Sequence, residues 1–151
     1  MKSSAFDLEE ERLKGEIRRR CAKRVLIQLP EGLKPEAPRL ARVIERGGAL
    51  AIVSADPCYG ACDLALKEAE CLGADLIVHY GHSRIMPNSE SVPVLYIEAK
   101  ATLDLNAAVE EALPLLEQWK RIGLVTSVQH AGLLTEAKER LLKAGKSVVV
   151  G

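Results

Sequence analysis

Val25-Leu26-Ile27-Gln28-Leu29-Pro30-Glu31-Gly32 opens on a short apolar run and closes in a Pro-Glu-Gly loop. A run of this length, apolar almost throughout rather than alternating, predicts a strand buried on both faces. The chain beyond it predicts a helix from about Pro35 to Arg46, with Pro35 tolerated in the first turn and Gly47-Gly48 stopping it. Outward from this unit the order recurs. Leu50 to Val53 predicts a strand, the Cys62 region opens a helix ending at Gly73, and Asp75-Leu76-Ile77-Val78-His79-Tyr80 predicts another strand. Pro93 to Ile97 predicts a further short one. On the N-terminal side, Asp7 is expected to open a helix with Glu10 as its capping-box partner and Arg18-Arg19-Arg20 at its negative end, a solvated terminus. Strands alternating with helices over short loops place the chain in the α/β class, a parallel sheet flanked by helices, with right-handed crossovers.

Leu105, Ala108, Val109, Ala112, Leu113, Leu116 and Trp119 form a helical apolar stripe interrupted by Pro114, which should kink or divide the helix. Sliding the sequence against itself by about 98 residues superposes one strand–loop–helix–Gly–strand unit on another. Leu26-Ile27 falls on Leu124-Val125, Arg42-Val43-Ile44 on Arg140-Leu141-Leu142, Gly47 on Gly145, and Leu50-Ala51-Ile52 on Val148-Val149-Val150. Generic βαβ similarity and duplication both account for this match. On the duplication reading, residues 1–118 are a first α/β domain carrying the Cys62 loop. Residues 119–151 are then the incomplete start of a second, whose own cysteine loop is expected past Gly151.

At 151 residues and 48% hydrophobic content, the chain has enough apolar material for one self-sufficient domain but not two. Its 21 basic and 21 acidic side chains balance, which argues against a large nucleic-acid footprint or attraction to acidic lipid. No apolar run reaches the ~18 residues of a membrane span, and the first residues lack a signal-peptide core, so a cytoplasmic protein is expected. In a reducing compartment Cys21, Cys58, Cys62 and Cys71 are not a disulfide framework. Cys21 and Cys71, on helices, are expected as small buried apolar residues.

Asp56-Pro57-Cys58-Tyr59-Gly60-Ala61-Cys62-Asp63 lies at the carboxyl end of a strand, where open parallel sheets bind ligands. Placed at a helix N-terminus, Cys62 would have its thiolate stabilised for nucleophilic or metal-ligand work, and Gly60 and Ala61 would let backbone approach a cofactor. Cys58 and Cys62 fit the first interval of the three-cysteine motif of radical enzymes, but Ala65 stands at the next position, so a cluster here needs thiolates from elsewhere. His79-Tyr80-Gly81-His82-Ser83 ends the following strand on the same rim. These histidines could join Cys58 and Cys62 in a zinc site. Alternatively His79 is a hydrogen-bonded core histidine and Gly81-His82-Ser83 a turn that positions substrate polar groups. Thr126-Ser127-Val128-Gln129-His130 follows a strand and either faces the same cleft or forms a turn with local side-chain bonds.

Taken together, these residues resemble the archaeal 2-(3-amino-3-carboxypropyl)histidine synthases of diphthamide biosynthesis. The resemblance rests on Gln28-Leu29-Pro30-Glu31-Gly32-Leu33, Tyr59-Gly60-Ala61-Cys62-Asp63, His79-Tyr80-Gly81-His82-Ser83 and Val128-Gln129-His130, in family order, and covers the chain from Val25 onward. Tyr-Gly-Ala-Cys-Asp is its specific string. The resemblance implies three similar α/β domains, each giving one cysteine to a 4Fe–4S cluster, and a homodimer. Cys62 matches the first of those metal ligands, and Tyr59, Gly60, Ala61, Asp63, His82, Ser83, Gln129 and His130 are implied as cofactor-binding residues. It further implies S-adenosylmethionine as co-substrate, cleaved to a 3-amino-3-carboxypropyl radical that adds to C2 of an imidazole on elongation factor 2; the balanced charge and the lack of an apolar span predict no nucleic acid or membrane as partner. The 151-residue chain alone is expected neither to assemble a normal cluster nor to perform the reaction. Quinolinate synthase, with a similar triplicated plan, is a competing reading against which the Tyr-Gly-Ala-Cys-Asp string speaks. A cluster-free flavodoxin-like nucleotide-binding module is the other, and neither Gly-x-Gly-x-x-Gly nor Gly-x-x-x-x-Gly-Lys-Ser/Thr supports it.

Overall fold

A computed structural model of the chain describes residues 5–85 and 91–151. In chain order the elements begin with β1 (Phe6–Asp7), α1 (Glu10–Arg20), β2 (Arg24–Gln28), α2 (Ala37–Arg46) and β3 (Leu50–Val53). Next come α3 (Leu66–Cys71), β4 (Leu76–Tyr80), β5 (Val94–Ile97) and β6 (Lys100–Ala101). The last are α4 (Asn106–Ala112), β7 (Arg121–Leu124), α5 (Leu134–Lys143) and β8 (Ser147–Val150). Among the described residues no helix is long and apolar enough to cross a membrane.

Two compact units share the chain: Leu8–Ala99, and a second that joins the segment ending at Asp7 to Lys100–Gly151. The division between these two compact units falls after Ala99. The reason is that the stripe Leu105, Ala108, Val109, Ala112 and Leu116 turns toward Ile122, Leu124, Ala137 and Leu141, around a cavity of about 260 Å³. A Glu110–Arg140 ion pair at 3.0 Å adds a surface tie between α4 and α5. Pro114 does divide the stripe: α4 ends at Ala112 and a 3-10 turn, Pro114–Leu116, follows.

The Leu8–Ala99 unit is the predicted α/β layer. Its four strands lie in the order β3-β2-β4-β5, all parallel. Val25 to Gln28 and all of β4 are buried, as expected of strands covered on both faces. Leu26 and Ile77, register neighbours, pack on Ala69 of α3. Alternation turns Val25, Ile27 and Val78 to the other face. Leu40 and Ile44 of α2 are fully buried, and Ile17 of α1 lies where a Cβ on Gly47 would meet it at 3.4 Å. From β2 the chain steps outward to β3, then crosses back to lay β4 on the other side of β2. The β2–β4 seam is therefore the topological switch point, and its carboxyl end is where such sheets bind ligands.

Three local expectations are corrected. Asp7 does not cap α1, because its backbone pairs with Lys100 in the β1–β6 ladder. The helix starts instead after Glu9, whose φ is 48°. Cys62 does not open a helix: α3 begins only at Leu66, and Cys62 lies in the turn closed by Asp63 N–H on the Gly60 carbonyl at 3.0 Å. Cys21 and Cys71 are exposed rather than buried, at the C-terminal ends of α1 and α3.

The repeat is visible in the backbone, with a register one residue shorter than the sequence match. The 3-10 turn 31–36 recurs at 128–133, the helix 37–46 at 134–143 and the strand 50–53 at 147–150, an offset of 97. Gly48, at φ 95°, thus corresponds to Gly145, at φ 78°. The linking hydrogen bonds follow the same offset: Leu50 N–H to Lys23 O beside Ser147 N–H to Lys120 O, both 2.8 Å.

A buried glutamine organises the candidate site

Gln28 ends β2 and His79 stands opposite it on β4, at the switch point. Both side chains are buried, at 3% and 0% exposure. The Gln28 amide reaches across the crevice into the loop before α3. Its Nε2 donates to the Asp63 carbonyl at 2.6 Å, and its Oε1 accepts from Ala65 N–H at 3.2 Å. Those two backbone partners assign the amide ends, since a carbonyl only accepts and an N–H only donates. Oε1 also lies 2.9 Å from His79 Nδ1, so Nδ1 carries the proton and Nε2 presents its lone pair. This capture keeps residues 63–65 out of helical conformation, the physical reason that α3 starts late.

His79 Nε2 meets His82 Nδ1 at 3.0 Å and lies 4.0 Å from Cys58 Sγ. Burial, reinforced by the positive charge His82 can carry and partly offset by Asp63, lowers the His79 pKa to about 4, so it is neutral near pH 7. Burial likewise raises the pKa of the Cys58 thiol, against the pull of a Gly60 N–H on its sulfur. His79 is buried and hydrogen-bonded through Nδ1, with Nε2 turned toward the other candidate ligands. Of the four residues grouped above as a possible zinc set, Cys58, His79 and His82 come together, while Cys62 is exposed and stands outside the group.

The Cys62 loop is closed on itself. Tyr59 N–H donates to Asp63 Oδ2 at 3.1 Å, Ala61 is buried, and a Cβ on Gly60 would sit 3.7 Å from the Cys62 sulfur. Tyr59 is 83% exposed. A cleft of about 590 Å³ opens beside the loop, lined by Gln28, Ser54, Asp56, Asp63 and Glu68 among others. Ser83 Oγ donates to Glu98 at 2.9 Å. Gln129 and His130 belong to the other compact unit, in the 3-10 turn Val128–Leu133, where Ser127 Oγ and His130 Nδ1 lie 3.0 Å apart. Sequence reasoning singled out the Cys62 loop and the histidines but gave Gln28 no role. The available signal was a polar side chain ending an otherwise apolar strand.

A family model described as "Putative diphthamide synthesis protein" matches residues 29–151. The chain belongs to the diphthamide synthesis family. It is 38% identical over 137 residues to the 2-(3-amino-3-carboxypropyl)histidine synthase of Pyrococcus horikoshii, covering 90% of this chain and 40% of that protein. To subunit 1 of the Schizosaccharomyces pombe synthase it is 37% identical over 127 residues, covering 83% of this chain and 29% of the subunit. The crystal structure of Dph2 from Pyrococcus horikoshii superposes with a TM-score of 0.83 at 36% identity, over 94% of this chain and 42% of that one. A second crystal structure of that protein contains a 4Fe–4S cluster, with the same TM-score. The diphthamide synthesis chain described here thus spans less than half the length of each of these relatives.

The donor set suits one corner of such a cluster. Clusters of this type are held by cysteine thiolates. Cys62 is exposed beyond the carboxyl ends of the strands, in a loop whose neighbour at residue 60 has no side chain. Cys21 and Cys71 precede the amino ends of β2 and β4, on the opposite edge of the sheet, and Cys58 is buried.

Proposed function

We propose that the intact protein carrying this chain performs the first step of diphthamide biosynthesis. A 3-amino-3-carboxypropyl group passes from S-adenosylmethionine to a histidine of elongation factor 2 by a 4Fe–4S radical mechanism. The observation that carries this reading is the exposed Cys62 thiol in a loop pinned at the switch point by Gln28. Membership of the family and similarity to the Pyrococcus synthase support the reaction class.

When bound, the cluster supplies an electron and a Lewis-acidic iron for cleaving the sulfonium. Cys62 is its ligand from this chain, and two similar α/β domains of the intact protein contribute the remaining thiolates. Gln28 holds Asp63 and Ala65, so the loop meets its ligand already ordered and binding costs less conformational entropy. Asp63, oriented by Tyr59 N–H, keeps one carboxylate oxygen free of that bond for the sulfonium or its ammonium group. Tyr59, Gly60, Ala61, His82 and Ser83 complete the cofactor environment that the Leu8–Ala99 unit contributes in this reading. The protein works as a cytoplasmic homodimer and meets elongation factor 2 by shape rather than by net charge.

Cys62→Ala in the intact gene product, reconstituted anaerobically with iron and sulfide, is the direct test. The expected outcome is loss of the 4Fe–4S absorption and of labelling of elongation factor 2 by carboxyl-labelled S-adenosylmethionine. An undiminished cluster and undiminished labelling in that variant would exclude the assignment.

A further inference from the structure

Cys58 and His79 have no direct role in the reaction as proposed and His82 only completes the cofactor environment, yet the ligand atoms of all three converge. Among the described residues they are the one group of this kind, with Cys58 Sγ, His79 Nε2 and His82 Nδ1 all within 4.8 Å of one another. We propose that these three atoms bind a single transition-metal ion of the zinc(II) class, with Cys62 outside the ligand set.

Geometry is the first support. Tetrahedral zinc with bonds of roughly 2.0–2.1 Å to nitrogen and 2.3 Å to sulfur separates its ligand atoms by roughly 3.3 Å for N···N and 3.6 Å for N···S. The observed 3.0 Å between the imidazoles and 4.0 Å from Cys58 to His79 bracket those values, so sub-ångström shifts seat the ion. Orientation is the second. Metal-ligating histidines donate their other ring N–H to a fixed acceptor, which sets the tautomer. Gln28 Oε1 does this for His79 and is itself held by Ala65 N–H, so the Nε2 lone pair is directed at the site before any ion arrives.

The donor count is the third. A single Nε2 lone pair accepts one strong hydrogen bond, and His82 Nδ1 is placed to give it. Cys58, buried at 5% exposure with Gly60 N–H on its sulfur, lies from His79 Nε2 at the outer limit for a sulfur hydrogen bond. The single Nε2 lone pair therefore serves His82 or Cys58 but not both, whereas a metal ion uses all three groups. Two imidazoles and one thiolate favour zinc or cobalt over magnesium or calcium, and they leave a fourth position for water or a substrate atom. His82, half-buried, is the route of entry. Since the thiolate is the ligand form of cysteine, binding releases the Cys58 proton and strengthens as pH rises.

Cobalt(II) titration of the chelator-treated protein under anaerobic conditions tests this with no dependence on catalysis or on an iron–sulfur cluster. The expected result is one equivalent bound, with tetrahedral d–d bands and a thiolate-to-cobalt charge-transfer band, all displaced by zinc(II). Cys58→Ser should abolish the charge-transfer band, and His82→Ala should weaken binding at least tenfold. Cys62→Ser and Cys71→Ser should leave the spectrum intact. Circular dichroism of each variant establishes that the fold is retained. A folded wild-type protein that binds no stoichiometric cobalt, a band that survives Cys58→Ser, or one that disappears with Cys62→Ser overturns the proposal.

Discussion

Gln28 Oε1 and His79 Nδ1 lie 2.9 Å apart across the β2–β4 seam, and the same oxygen accepts the Ala65 amide. One side chain thereby joins two parallel strands to the loop that carries Cys62. Gln28→Leu keeps the bulk but leaves the Asp63 carbonyl, the Ala65 amide and the His79 ring N–H without this partner. Each unsatisfied buried group costs about 1–3 kcal/mol, less where water can enter. The expected loss is therefore about 3 kcal/mol, read as a lower urea midpoint at unchanged slope. Hydrogen exchange at Ala65 should accelerate by more than exchange at Ile77. Equal acceleration at both would mean that Gln28 supports the sheet generally rather than the loop.

Acid should weaken the fold through His79. Its pKa is lowered to about 4 in the folded chain, while the unfolded chain titrates near the ordinary 6.5. Between those values the unfolded state binds a proton that the folded state does not, so stability rises with pH through the window and is fully present above it. With metal removed by chelation, His79 accounts for about 3 kcal/mol of loss between pH 6.5 and 4. Urea midpoints across this range should fall more steeply for wild type than for His79→Gln. Parallel slopes would assign the acid sensitivity to carboxylates.

The four cysteines should separate by reactivity. Cys21, Cys62 and Cys71 are exposed, whereas Cys58 is buried with a thiol pKa raised chiefly by desolvation. Reaction with a thiol reagent at pH 7.5 should consume three equivalents quickly and the fourth only on unfolding, since the thiolate is the nucleophile and access gates it. Peptide mapping should find Cys58 unlabelled. Zinc(II) added beforehand should leave the rapid phase at three equivalents.

The strands were legible because apolar runs of strand length, bounded by glycine and proline, identify Leu50–Val53 and, to within a residue, β2, β4 and β5. The helix expected at Cys62 failed for a reason no local window contains: the Gln28 amide, more than 30 residues away in sequence, captures the backbone at Asp63 and Ala65. Asp7 failed similarly, its backbone taken by Lys100. Local pattern could indicate that Cys62 and His79 lie near one rim. It could not separate Cys62 from Cys58, which differ in burial rather than in spacing.

The repeat register supplies a last expectation, and backbone conformation decides it. Matching residues by identity pairs Gly47 with Gly145, but Gly47 has φ −74° and Gly145 has φ 78°. The left-handed counterpart is Gly48, at 95°, and a methyl group added at either Gly48 or Gly145 would meet nothing within 4 Å. Alanine at each position therefore meets only the conformational penalty, about 1–2 kcal/mol. Gly47→Ala is a different lesion, its Cβ falling 2.9 Å from the Ile44 carbonyl and 3.4 Å from Ile17, so it presses α1 away from α2. Gly48→Ala and Gly145→Ala should each weaken their own unit by a similar amount, and the double variant should be additive, as expected for sites without shared partners. Local amide exchange is the measurement: Gly48→Ala should raise rates at Ala49 and Leu50, and Gly145→Ala at Lys146 and Ser147. A Gly47→Ala profile that matched Gly145→Ala, with Gly48→Ala silent, would restore the register read from residue identities.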